Sequence, residues 1–267
     1  MPLFYCSYDS KALATPHKVA VLLPGPDSME TASRSLEELY APRGPLQVLY
    51  LLHGMNEDES TWLRRTTIEQ YARRLRLALV MPYGENSFYL DMACGPAWLE
   101  NLTEELPRFL RQNFALSPRR EDTAIAGASM GGYGALHAAL LRPDLFGAAA
   151  SLSGALDLEQ VVRRGHIFGL VRQGAPLVGS AQKVPGSEND LFACARRQTA
   201  QPLPRLYLCC GRQDAECLEM NRRFAAHLAA LGLAHVYEEF DGGHHWPEWE
   251  RQIPAMLKHL FSPDKGA

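Results

Sequence analysis

One serine in this chain sits between two glycines in a pattern that chemistry can use. The stretch Ala124-Ile125-Ala126-Gly127-Ala128-Ser129-Met130-Gly131-Gly132 contains Gly-x-Ser-x-Gly as Gly127-Ala128-Ser129-Met130-Gly131. To lift a serine oxygen to the tip of a sharp strand-to-helix turn, the backbone passes through a strained conformation. Only very small residues two before and two after leave room for it. The apolar run before Ser129 and the Gly/Ala-rich run after it supply the strand and the helix that this turn needs. A serine hydroxyl attacks poorly without a base, and the base needs a carboxylate to orient it. Downstream, Leu206 to Cys210 leads into Gly211-Arg212-Gln213-Asp214, placing Asp214 just past the end of a strand, with Glu216 close enough to compete. Further on, Phe240 opens into Asp241-Gly242-Gly243-His244-His245-Trp246. His244 directly follows the paired glycines and is the favoured base, with His245 the alternative.

The order Ser129, Asp214, His244 is that of the α/β-hydrolase fold, and the chemistry it points to is acyl transfer through a tetrahedral oxyanion. Such an intermediate needs preorganised N–H donors. Met130 N–H, next to the nucleophile, is one candidate. The strand Leu49 to Leu52 runs into His53-Gly54-Met55, and Met55 N–H is the second, with Gly54 the alternative. Trp62, Phe88, Tyr89 and Trp246 lie near these motifs and could wall an acyl pocket, although core packing explains such aromatics equally well. A metal site built from the adjacent histidines and cysteines lacks support: Cys209 and Cys210 face opposite sides of a strand, and no ligand spacing suits zinc. No metal and no cofactor is expected.

These loops need elements to hold them. Val19–Leu23, Gln47–Leu52, Leu77–Met81, Thr123–Ala126, Ala148–Leu152, Leu206–Cys210 and His235–Phe240 read as strands, several apolar on both parities, as in a sheet covered on both faces. Thr67–Arg76, Trp98–Phe114 (with Pro107 kinking it or starting a fresh turn), Gly132–Leu141, Leu218–Leu231 and Glu248–Leu260 read as helices. Alternation of this kind predicts an α/β fold with a mostly parallel central sheet flanked by helices. The chain reads as a single domain over 1–267. The Pro- and Gly-rich stretch between about 156 and 204 is expected to be an insertion or lid-like segment over the C-terminal edge of the sheet.

At 267 residues, 46% hydrophobic, with a formal net charge of −3, the chain has no bulk charge for nucleic acid. No apolar run approaches the ~20 residues of a membrane span, and the first residues do not read as a secretory signal. Six cysteines without Cys-x-x-Cys pairing read as reduced thiols, so a cytoplasmic protein is expected.

Taken together the motifs resemble the esterase D-like branch of the α/β-hydrolases, most of all the bacterial tributyrin esterases. The resemblance rests on Leu51-Leu52-His53-Gly54-Met55, Val80-Met81-Pro82, Ser87 to Met92, Glu105-Leu106-Pro107, Ser117 to Asp122, Ala126 to Gly134, Ser151 to Ala155 and Gly243-His244-His245-Trp246. It extends from about the first strand to the last helix and is weakest from Leu156 to Gln201. It implies a nucleophile at Ser129, an acid at Asp214 and a base at His244 rather than His245. It also implies a short-chain acyl ester as small-molecule substrate, and it carries the expectation of a homo-oligomer. The rival readings on the same fold are an S-formylglutathione hydrolase-like thioesterase, a feruloyl-type esterase and acyl transfer to a sugar acceptor. From a different class comes a catalytically silent binding protein.

Overall fold

The computed structural model describes residues 1–41, 44–165, 174–198 and 203–261. Eight strands form a sheet in the order β1-β2-β4-β3-β5-β6-β7-β8. They are β1 (Leu3–Ser10), β2 (Thr15–Leu22), β3 (Val48–Leu52), β4 (Ala78–Pro82), β5 (Thr123–Ala128), β6 (Ala148–Leu152), β7 (Arg205–Gly211) and β8 (His235–Phe240). From β4 through β3 and on to β8 the pairing is parallel, whereas β1 and β2 form an antiparallel hairpin whose second strand runs antiparallel to β4. This is the mostly parallel α/β architecture that the alternating pattern predicts.

Both faces of the sheet are covered. Val48, Tyr50, Leu52 and Ile125 point into one apolar cluster with the helix Met130–Leu141, and Leu49, Leu51, Ala124 and Ala126 point into the other with Trp249, Ile253 and Met256 of the helix Trp246–Phe261. Because successive strand residues alternate sides, a sheet buried twice needs apolar residues at every position. That is why β3 and β5 read as continuous apolar runs.

The hairpin strand β1 escapes the sequence pattern. It is an edge strand with Leu3, Phe4 and Tyr5 exposed, so its polar and aromatic residues lack a two-sided burial pattern. The stretch expected as one helix over Trp98–Phe114 is broken into an α turn (Trp98–Glu100), a π turn (Asn101–Glu105) and an α-helix (Leu106–Asn113). Pro107 lies in the first turn of that last piece, directly after the π turn in which Leu106 N–H reaches back to Asn101 O, so the wider turn sits where the proline has no N–H to give.

Within 156–204, helices cover Leu158–Arg163, Gly174–Val178 and Leu191–Arg196, while 166–173 and 199–202 lie outside the described residues. Tyr133 Oη donates to Asn189 O (2.6 Å) and His137 Nε2 to Glu188 O (2.7 Å), which ties this segment to the helix that follows Ser129. Among the described residues no helix is long and apolar enough to cross a membrane.

The parallel strands share one direction, so the loops after β3, β5, β7 and β8 emerge along a single edge of the sheet. Open α/β sheets gather their functional groups at that edge. His53 to Met55, Ser129, Asp214 and His244 all belong to these loops.

Candidate active site

Ser129 joins β5 to the helix Met130–Leu141 with φ 56° and ψ −118°. A non-glycine residue held there stores on the order of 1–3 kcal/mol, so its surroundings must over-determine it. They do. Ser129 N–H donates to Leu152 O (2.9 Å), and its carbonyl accepts from Gly132, Tyr133 and Ala155 N–H. A Cβ on Gly127 would lie 2.1 Å from Gly131 O, and one on Gly131 would lie 2.3 Å from Leu52 O. Both glycines are therefore steric requirements of the turn.

His244 Nε2 lies 2.9 Å from Ser129 Oγ, and His244 Nδ1 lies 2.7 Å from Asp214 Oδ2. A carboxylate accepts only, so Nδ1 carries the proton and Nε2 is left to accept from the serine hydroxyl. Asp214 is 1% exposed. Burial pushes its carboxyl pKa up, but the hydrogen bond and charge of His244, the Cys217 N–H and the Ser153 hydroxyl outweigh that and hold it below the ordinary aspartate range. The imidazole packs edge-on against Trp249 at 4.9 Å, and the Trp249 indole donates to Ser153 Oγ (3.0 Å). Glu216 and His245, the competing residues of the sequence, are exposed and line the cleft instead of joining this line.

Beside the serine, the Gly54 N–H donates to Glu57 Oε2 at 2.7 Å and is spent. Met55 and Met130 N–H have no acceptor among the described residues. The loop that carries Met55 is braced from below by His53, whose Nε2 accepts from Gly84 N–H (2.9 Å), so that Nδ1–H donates to Gly54 O (2.7 Å). Tyr89 Oη adds a bond to His53 N–H (3.0 Å). Burial pushes the His53 pKa down to about 4, and does the same to His137. In the unfolded chain a histidine titrates near 6.5, so between about pH 6.5 and 4 the unfolded state binds the extra proton and stability falls as pH falls. Each buried ring is expected to cost roughly 2 kcal/mol between pH 7 and pH 5. Urea unfolding at those two pH values checks this, and an unchanged midpoint would refute it.

A cleft of about 810 Å³ opens above Ser129, with Met55, Arg65, Glu216, His244 and Trp246 among its walls. It falls within the range of small-molecule sites.

Residues 10–260 match the family model described as "Putative esterase". A relative named acetyl esterase, from Caldicellulosiruptor saccharolyticus, is 33% identical over 222 residues, covering 80% of this chain and 83% of its own length. The chain belongs to this esterase family. Among solved structures, the fluorophosphonate-binding serine hydrolase F of Staphylococcus aureus superposes with a TM-score of 0.85 at 28% identity, covering 98% of this chain and 99% of that one. An S-formylglutathione hydrolase of the same organism superposes at 0.82, also at 28% identity, covering 98% and 100%. The protein is a carboxylic ester hydrolase with the α/β-hydrolase fold.

In this esterase the four aromatics singled out in the sequence part company. Trp246 lines the cleft. Trp62, Phe88 and Tyr89 do not: all are 0–1% exposed and belong to the core behind it. The Trp62 indole donates to Leu52 O (3.0 Å), Phe88 packs edge-on against Tyr133 (5.6 Å), and Tyr89 fills the space that Gly84 and Gly134 leave open. Their expected place on the pocket wall is thus corrected to a supporting one. Sequence reasoning also passes over Arg65 and Glu57, charged residues on a helix end and a loop whose types alone give no signal.

Asp214, Cys217 and His244 each offer a potential ligand atom, all within 4.8 Å of one another. As a metal set they are poorly suited. Asp214 and His244 already bind each other, and burial pushes the Cys217 thiol pKa well up, away from the thiolate that a metal needs.

Proposed function

We propose that this esterase hydrolyses short-chain acyl esters in two steps, with Ser129 as nucleophile, His244 as general base and Asp214 as the acid that orients it. The observation that carries the reading is the unbroken hydrogen-bonded line from Ser129 Oγ through the His244 ring to Asp214, at 2.9 and 2.7 Å. As Ser129 Oγ attacks the ester carbonyl, its proton passes to His244 Nε2, and buried Asp214 stabilises the imidazolium. Met55 and Met130 N–H donate to the oxyanion. His244 returns the proton to the leaving alcohol, then takes one from the water that cleaves the acyl-serine.

The similarity to an acetyl esterase supports a short acyl group. The S-formylglutathione hydrolase likeness favours a second reading, a thioesterase acting on a formyl thioester. One panel separates them: p-nitrophenyl acetate, butyrate and octanoate, S-formylglutathione and methyl ferulate. Acetate and butyrate are expected to exceed octanoate by roughly tenfold or more in kcat/KM, since misfitting methylenes are worth ~1–3 kcal/mol. Preference for S-formylglutathione over every ester would replace the first reading with the second.

A further inference from the structure

Glu57 takes no part in the proton transfers, yet both of its carboxylate oxygens are engaged at the lip of the cleft. Oε2 accepts from Gly54 N–H at 2.7 Å, and Oε1 accepts from the Trp246 indole N–H at 2.6 Å, across 189 residues of sequence. One donor belongs to the loop after β3 that carries Met55. The other follows His244 by two residues and opens the helix Trp246–Phe261, into which the loop after β8 leads. Trp246 in turn packs edge-on against Trp249 (5.1 Å), which packs edge-on against His244 (4.9 Å). The loop after β3 has a second anchor: Asn56, at φ 61°, exchanges hydrogen bonds with Asn86 at 2.7 and 2.9 Å.

We propose that Glu57 is a positioning residue that clasps these two segments together, holding Met55 N–H as the open oxyanion donor and seating the His244 ring. The inference rests on the catalytic roles proposed above. Its physical basis is the geometry of a carboxylate. Two oxygens on one rigid plane take two N–H donors from separate segments, and ionised acceptors make the stronger hydrogen bonds. Glu57 fixes the peptide plane between His53 and Gly54 through the Gly54 N–H, and His53 Nδ1 fixes the following plane, which carries the Met55 N–H, through the Gly54 carbonyl. The next N–H, that of Met55, then has one direction to point. An oxyanion donor acts through where it points when charge develops, so a loosened loop loses transition-state binding more than substrate binding.

The test uses Glu57→Leu, Glu57→Gln, Trp246→Phe and the Glu57→Gln/Trp246→Phe double variant, with kcat and KM per titrated active site on p-nitrophenyl butyrate. Glu57→Leu is expected to lower kcat by about 100- to 1,000-fold, the effect of losing one oxyanion donor, with KM changed less than about threefold. The Ki of a methyl trifluoromethyl ketone, which binds as an oxyanion, rises by a factor similar to the fall in kcat/KM. Glu57→Gln recovers part of the loss, because its single carbonyl oxygen still accepts the Gly54 N–H. Glu57→Gln and Trp246→Phe remove the same bond, so the double variant is expected to be little worse than the poorer single one.

A merely structural carboxylate would lower the thermal midpoint and the yield of active sites without moving kcat or Ki per site, and that result overturns the clasp. Strict additivity in the cycle overturns it as well. Ser129→Ala separates the two levels. An inactive Ser129→Ala beside an unimpaired Glu57→Leu sinks the clasp alone, whereas turnover by Ser129→Ala removes the catalytic reading beneath it.

Discussion

Ser129→Ala is expected to lower kcat by about a million-fold, the scale seen when a serine nucleophile is removed from a hydrogen-bonded Ser-His-Asp set. A loss of this size follows because the acyl-serine route disappears entirely. What remains is water attacking a carbonyl polarised by Met55 and Met130 N–H, worth a residual ~10³–10⁴ over the uncatalysed reaction. The fold should tolerate the change. The position is strained at φ 56°, but alanine is no larger than serine, and the bonds that impose the strain come from backbone groups (Ser129 N–H to Leu152 O, Tyr133 and Ala155 N–H to Ser129 O). Burst kinetics with p-nitrophenyl butyrate and labelling by a fluorophosphonate probe read the effect, and both should vanish while the thermal midpoint stays put. Turnover or labelling surviving at wild-type level would remove Ser129 from the reaction. A wild-type chain that takes no label would instead favour the catalytically silent reading.

A feature of this fold or site is legible in the sequence where its physical reason is local. Gly127 is legible because the steric demand of the turn is local there, a Cβ meeting Gly131 O at 2.1 Å, whereas the 2.3 Å approach to Gly131 comes from Leu52 O of β3 and is read only through the spacing of the motif. The β3 and β5 runs are legible because double burial writes itself as unbroken apolar sequence. Nothing local distinguishes Trp62 from Trp246. One is 1% exposed and bonded to Leu52 O while the other faces the cleft, and their rings touch edge-on at 5.0 Å. Only the sheet order brings those chain segments together. The Glu57 to Trp246 bond is still less accessible, since it joins the segments that follow β3 and β8, strands that are not neighbours in the sheet. The edge strand β1 goes unread for a third reason: with little burial it carries little pattern.

Asp214→Asn is expected to lower kcat by about 10⁴-fold while leaving the imidazole in place. The carboxylate of Asp214 is anchored at both ends: Oδ1 accepts from Cys217 N–H at 3.0 Å and from Glu216 N–H at 3.3 Å, and Oδ2 accepts from His244 Nδ1 at 2.7 Å. Those two backbone donors decide how an asparagine would sit. Its carbonyl oxygen must take the Oδ1 position, because an amide NH₂ there would face two N–H groups. The NH₂ is then turned toward His244 and donates to Nδ1. The ring must carry its proton on Nε2, and an Nε2–H cannot accept from the Ser129 hydroxyl. The same nitrogen–oxygen distances would thus be kept with the proton on the wrong atom. Since the defect lies in proton placement, KM should change little, and the loss should appear in kcat and in the acylation burst together. Glu216→Gln is the matched control. Its side chain is exposed on the cleft wall and no hydrogen bond or ion pair links it to His244, so kcat should stay within about threefold of wild type, as for a surface change. A large loss at Glu216 with Asp214→Asn near normal would reverse the assignment of the acid, and the turn after β7 would have to rearrange in solution to bring Glu216 to the histidine.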